Sequence, residues 1–148
     1  MAPPRRYGTA AERLAAIRMA FAEVEDSDRL ALLLEFGERA GADALLSAPD
    51  SDAWERVSEC RTPVYLIVGG NTDAVSLRIA APSTAPTTRA FAAMLIAAVD
   101  GSDAPGVQAI PDDLPRTLGL ERWISPLRLE GMTGMIRRMK LQARGALG

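Results

Sequence analysis

Cys60 is the only cysteine in 148 residues, and the chain contains no histidine. Without imidazole there is no Ser-His-Asp or Cys-His nucleophile pair, no imidazole acid–base step and no imidazole metal ligand. One sulfur also excludes multi-cysteine zinc sites and an iron–sulfur cluster held wholly by this chain. The single lysine, Lys140, lies close to the C-terminal end, a poor place for Schiff-base chemistry. For covalent chemistry Cys60 is the obvious candidate.

The thiol sits in Ser58-Glu59-Cys60-Arg61-Thr62-Pro63, a polar, proline-bearing stretch that reads as a loop. Thiolate is the attacking form, and a neighbouring cation raises its share. Arg61 acts in that sense and Glu59 against it, so the sequence leaves their balance open. A free cysteine is most often a buried small hydrophobe; these polar neighbours equally fit a presented nucleophile. A lone thiol without an acid–base partner suits one reaction class well. It can accept a group by sulfur-on-sulfur attack and surrender it by the same route. A sulfur carrier fits this inventory better than a hydrolase does.

The elements that must position the thiol can be read from periodicity. Residues 1–8, with two prolines and two arginines, read as a flexible arm, and residues 9–148 as one domain. Thr9 and Glu12 have capping-box spacing, and Leu14, Ile17, Phe21 and Val24 then recur on one helical face. Asp26 to Asp28 break that pattern, and a second helix carries Leu30, Leu33, Leu34 and Phe36, ending before Gly41. Periodicity is lost from Ala42 to Ser58, with Trp54 and Val57 assigned to a short strand. Val64–Val68 and the alternating Val75, Leu77 and Ile79 form a hairpin across Gly69–Asp73, with one face buried.

Thr87 or Thr88 is expected to cap an apolar helix over 90–99, the central helix against the sheet. Residues 102–119 read as turns, and Ser125-Pro126 opens a last helix reaching about Arg144. Gly131 and Gly134 lie inside it at a cost of up to ~1 kcal/mol each. A close approach of a neighbouring element would explain both. The order of elements predicts an α+β domain, with a small antiparallel sheet of about three strands packed against helices.

An apolar content of 48% supports a packed core, and no apolar run has the length of a membrane helix. The arginines near the N-terminus are not followed by an apolar stretch, so that end does not read as a secretory signal. Residues 21–59 carry eleven acidic and three basic side chains, and residues 116–148 seven basic and two acidic. Such polarity can steer a partner. Nucleic acid is a poor candidate, because the basic segment lacks interleaved aromatics and the chain's pI is about 5.2.

The helical hairpin, Cys60 ahead of Val64-Tyr65-Leu66, the β-hairpin and the apolar helix together resemble the SufE family. Leu118-Gly119-Leu120 and Ile124-Ser125-Pro126-Leu127-Arg128-Leu129-Glu130-Gly131-Met132 strengthen the likeness, which spans residues 11–142. The resemblance implies an α+β fold akin to the IscU scaffold, and a cytoplasmic sulfur acceptor. Such a protein takes persulfide sulfur from a SufS-type cysteine desulfurase and passes it on to a downstream scaffold for iron–sulfur cluster assembly.

It implies that Cys60 bears the persulfide. Arg128 matches the arginine of the family's Ser-Pro-x-Arg motif, and either stabilises the sulfur anion or pairs with an acidic residue. Arg61 has no such motif behind it and also reads as a solvated side chain. Pyridoxal phosphate belongs to the desulfurase, and no cofactor is expected here. The three cysteines of a cluster-building scaffold are lacking.

The chain departs from the family pattern in three places. Glu59 stands where glycine commonly precedes the cysteine, Tyr65 where tryptophan is frequent, and Pro82-Ser83-Thr84 where acidic residues usually follow the hairpin. These bear on docking, to which Arg89 is a further candidate contributor, although it reads first as a solvated helix-end cation. A noncatalytic thiol redox sensor or adaptor is the competing reading, and a structural module with an incidental cysteine is the third.

Overall fold

A computed structural model describes residues 8–39 and 43–146. The arm expected over residues 1–8 falls almost wholly outside them, as does Gly41. Helix α1 (Ala10–Glu23) starts at the capping box: Glu12 N donates to Thr9 Oγ1 at 3.1 Å, and Thr9 N donates to Glu12 Oε1 at 2.9 Å. Leu14, Ile17 and Phe21 are buried, as their spacing requires. A short 3-10 turn over Asp26–Asp28 leads into α2 (Arg29–Glu38).

The sheet has four strands, not about three, and it is mixed. In chain order they are β1 (Leu45–Leu46), β2 (Glu55–Arg56), β3 (Tyr65–Gly70) and β4 (Val75–Ala80); across the sheet they run β1-β4-β3-β2. The expected hairpin is β3–β4, antiparallel, with Leu66 opposite Ile79 and Val68 opposite Leu77. All four of these side chains are buried, so one face of the hairpin enters the core. Its turn needs Gly70, at φ +81°, where a Cβ would collide with the Ala74 carbonyl.

The added strand, β1, runs parallel to β4: Ile79 N donates to Ala44 O and Ala81 N to Leu46 O, each at 2.9 Å. Two residues show no period-two pattern, which is why periodicity could not find it. The short strand expected near Trp54 and Val57 lies between them, at Glu55–Arg56; Trp54 and Val57 are both buried and flank it.

Helix α3 starts at Pro86 rather than Ala90. Proline occupies the first turn, and the N-cap is Ala85, with no side-chain cap from Thr87 or Thr88. The fixed φ of proline suits that position and displaces the threonine cap. From Ala90 to Val99 almost every side chain is buried, and α3 packs on β4, α1 and α2 as the central helix. Arg89 is half-buried and donates to the carbonyls of Leu46 (3.0 Å) and Ala81 (2.5 Å), tying the ends of β1 and β4 to α3. It is thus a structural tie, not a solvated docking cation.

Two short helices, α4 (Ala104–Gln108) and α5 (Leu114–Thr117), bridge to α6 (Pro126–Ala146). Helix α6 lies along β3, with Met132, Met135, Ile136 and Met139 in the core.

Candidate functional site

The loop carrying Cys60 joins β2 to β3. Its base is closed where Val57 N donates to Val64 O at 2.8 Å, between two fully buried valines. At the tip, Cys60 N donates to Val57 O at 3.0 Å. Ser58 to Pro63 project from that anchored base toward α6.

The helix receives them at its two interior glycines. A Cβ on Gly131 would lie 2.7 Å from Cys60 Sγ, and one on Gly134 would lie 2.7 Å from Glu59 Cδ. No heavy atom can stand that close, so α6 must be bare at both positions for the loop to seat. The close approach expected from the two glycines is therefore present, and the approaching element is the cysteine loop.

Two groups that the sequence reading missed hold the loop there. Arg138 donates from Nε to Glu59 at 2.8 Å, from Nη1 to Glu55 at 2.6 Å and from Nη2 to Ser58 at 2.7 Å. One turn further, Gln142 donates to Glu55 at 2.8 Å and accepts from Val68 N at 2.8 Å, joining β2, β3 and α6. Gly131, Gly134, Arg138 and Gln142 are spaced by three, four and four residues, hence one helical face. That spacing was the available signal.

Cys60 is half-buried and borders a groove of about 270 Å³. Arg61 and Arg128 border the same groove, with Thr84, Ser125 and Met135. Both arginines are exposed, and neither forms an ion pair among the described residues. The acidic partner considered for Arg128 is absent from this set.

Burial pushes the Cys60 thiol up to about 11, and the Glu59 carboxylate adds to the rise; Arg56 and Arg138 oppose it without prevailing. Burial rather than charge is the largest cause, and the cations that oppose it are Arg56 and Arg138, not Arg61. Glu59 itself is held below the usual carboxylate range, chiefly by its hydrogen bond to Arg138. No cluster of His, Cys, Asp or Glu able to hold a metal ion occurs among the described residues. No helix there is long and apolar enough to cross a membrane.

Fold and site together define an α+β domain that presents one thiol from a hairpin loop seated on a helix. The model of the SufE family, described as an Fe–S metabolism associated domain, matches residues 15–143. Two proteins named as uncharacterized SufE-like proteins, from two Mycobacterium tuberculosis strains, are 43% identical over 134 residues, covering 90% of this chain and 92% of theirs. The solution structure of a hypothetical protein from Thermus thermophilus superposes with a TM-score of 0.77 at 30% identity, covering 91% of this chain and 96% of that one. The chain belongs to the SufE family, and its role lies in iron–sulfur metabolism.

Proposed function

We propose that this protein is a cytoplasmic sulfur carrier that takes persulfide sulfur onto Cys60 from a SufS-type, pyridoxal-phosphate cysteine desulfurase. The sulfur then passes to a downstream iron–sulfur scaffold. The observation that carries the reading is the setting of Cys60, on a loop with an anchored base, beside a groove bordered by Arg61 and Arg128, two cations without an ion pair among the described residues. Family membership supports it independently. A lone free thiol fits a reducing compartment, which favours the cytoplasm.

The step balances without an outside oxidant. The Cys60 thiolate attacks the terminal sulfur of the donor cysteine persulfide, forming a new S–S bond as the donor's S–S bond breaks. The donor sulfur leaves as thiolate and takes up the proton that Cys60 gave away. Arg61 and Arg128 border the groove through which the donor persulfide arrives, and their fixed charge favours an anionic persulfide there.

With the thiol at about 11, only about one molecule in ten thousand is thiolate at neutral pH in the seated state. A loop that leaves α6 would lift the burial that raises this value and increase the thiolate share. In isolation the seated thiol reacts slowly and guards its sulfur.

Intact mass after incubation with a cysteine desulfurase and cysteine tests the reading. A gain of one sulfur atom, removed by reducing agent and absent in Cys60→Ser, is expected. No gain in the wild type, or a gain that persists in Cys60→Ser, would overturn it. Oxygen addition or dimerisation under peroxide, with no sulfur gain from the desulfurase, would favour the redox sensor.

A further inference from the structure

We propose that Arg138 is a latch: it holds the Ser58–Pro63 loop, and with it Cys60, on α6, and its release exposes the thiol to a donor. The purpose of the latch rests on the sulfur-carrier reading; its existence does not.

The geometry separates a fixed base from a releasable tip. The base is secured three times over. Val57 is bonded to Val64, β2 pairs with β3, and Gln142 ties Glu55 to the Val68 amide. The tip has no such redundancy. Beyond the Cys60 amide bond to Val57, the side-chain hydrogen bonds that reach residues 58–63 from outside the loop, among the described residues, all come from Arg138, one to Ser58 and one to Glu59. The third bond of Arg138, to Glu55, goes to the base. One guanidinium thus spans the hinge, and its rigid fork positions all three donors at once.

The pair is placed to yield. The Arg138 side chain is 22% exposed and that of Glu59 31%. Water reaches both ions, so breaking their contact carries none of the penalty of a deeply buried charge. Gly131 and Gly134 also contribute no side chain to grip the loop. A partner that presents a carboxylate to Arg138 or a cation to Glu59 shifts the loop outward by its preference for the open form.

The rate of Cys60 labelling by a small thiol reagent, with no desulfurase present, reads the latch. The sign of the effect separates two roles for Arg138. Its charge favours thiolate, so if charge were its whole contribution, Arg138→Met would slow labelling. If it is the latch, the same variant labels about tenfold faster or more, because the loop opens locally. The rate should also stay insensitive to low urea, as local rather than global opening requires. Arg138→Lys, which cannot span three acceptors, should fall between. Added salt should speed the wild type and leave Arg138→Met unchanged.

An unchanged or slower rate in Arg138→Met, or a steep urea dependence, would overturn the latch. Should Arg138→Met fail to fold, Ser58→Ala removes one bond and should label about two- to threefold faster; no acceleration there overturns it equally. Sulfur loading is scored separately. Fast labelling without loading would leave the latch standing and remove the carrier reading, and the converse result would do the reverse.

Discussion

On α2, Gly37 lies against α3, where a Cβ would stand 3.2 Å from the Cα of Ala90. On α6, Gly131 and Gly134 lie against Cys60 and Glu59, each at 2.7 Å by the same measure. Both contacts use the missing side chain to bring a neighbour close. They differ in what sits on the other side. Ala90 is buried backbone in the central helix, locked by Phe91, Met94 and Leu95 around it. The α6 glycines face the side chains of a loop, half-buried and held by charged groups. The first contact is part of the core. In the latch proposed here the second comes apart with the core intact, giving the shelter at rest and access on demand that the proposed sulfur carrier would need.

The largest effect expected from this contrast is on global stability. Gly37→Val drives a branched side chain into the Ala90 backbone, which cannot step aside, and should cost about 2–3 kcal/mol in urea unfolding. Below its unfolding transition the variant should label Cys60 at the wild-type rate. A loss of less than about 0.5 kcal/mol would mean that the α2–α3 contact is as yielding as the α6 seat.

Gly134→Ala and Gly131→Ala probe the other side. An alanine at 134 meets Glu59 from its carboxyl carbon (2.7 Å) back to its Cβ (2.9 Å), so the loop must shift outward to admit it, while the helix gains up to about 1 kcal/mol of propensity. Unfolding free energy should therefore stay within about 1 kcal/mol of wild type, while Cys60 labels several-fold faster because Glu59 has lost its seat. Gly131→Ala evicts the sulfur directly and should label at least as fast. Slow labelling in both variants, with stability lost instead, would erase the distinction between the two contacts.

Much of this was legible in the sequence. The Thr9–Glu12 cap, the β3–β4 hairpin, the buried α3 and the odd pair of glycines in α6 each leave a local signature. The thiol stood out because nothing else in the chain can do its chemistry. What stayed hidden is non-local. β1 is two residues whose pairing to β4 depends on chain far away, and the start of α3 was decided by Pro86 over the threonine caps. Arg138 looks like any cation in a basic segment until α6 is laid on the loop 79 residues earlier. The charge polarity of the two segments, readable as a steering field, is partly spent inside the molecule, on Arg138 with Glu55 and Glu59 and on Arg122 with Asp26.

The smallest expected effect is on the pH dependence of stability, and it belongs to one side of the comparison only. The nearest neighbours of the Gly37 seat are atoms of Ala90, which does not titrate, whereas the α6 seat holds a thiol raised to about 11 from an ordinary value near ~8.5. Below ~8.5 the thiol keeps its proton in folded and unfolded chains alike, so its contribution to stability is constant there. From ~8.5 to about 11 the unfolded chain gives up its proton first, and the folded state loses stability as pH rises. Above about 11 both forms are ionised and the loss stops. The slope should lie below the single-proton limit of about 1.4 kcal/mol per pH unit, since the thiol is only half-buried. Cys60→Ala should lack this component, so wild type minus variant isolates it from the other titrating groups. Gly134→Ala should show it weakened, because its loop spends more time off the helix. A difference curve that is flat across the window would mean that the thiol is already solvated at rest, and the α6 seat would then shelter nothing.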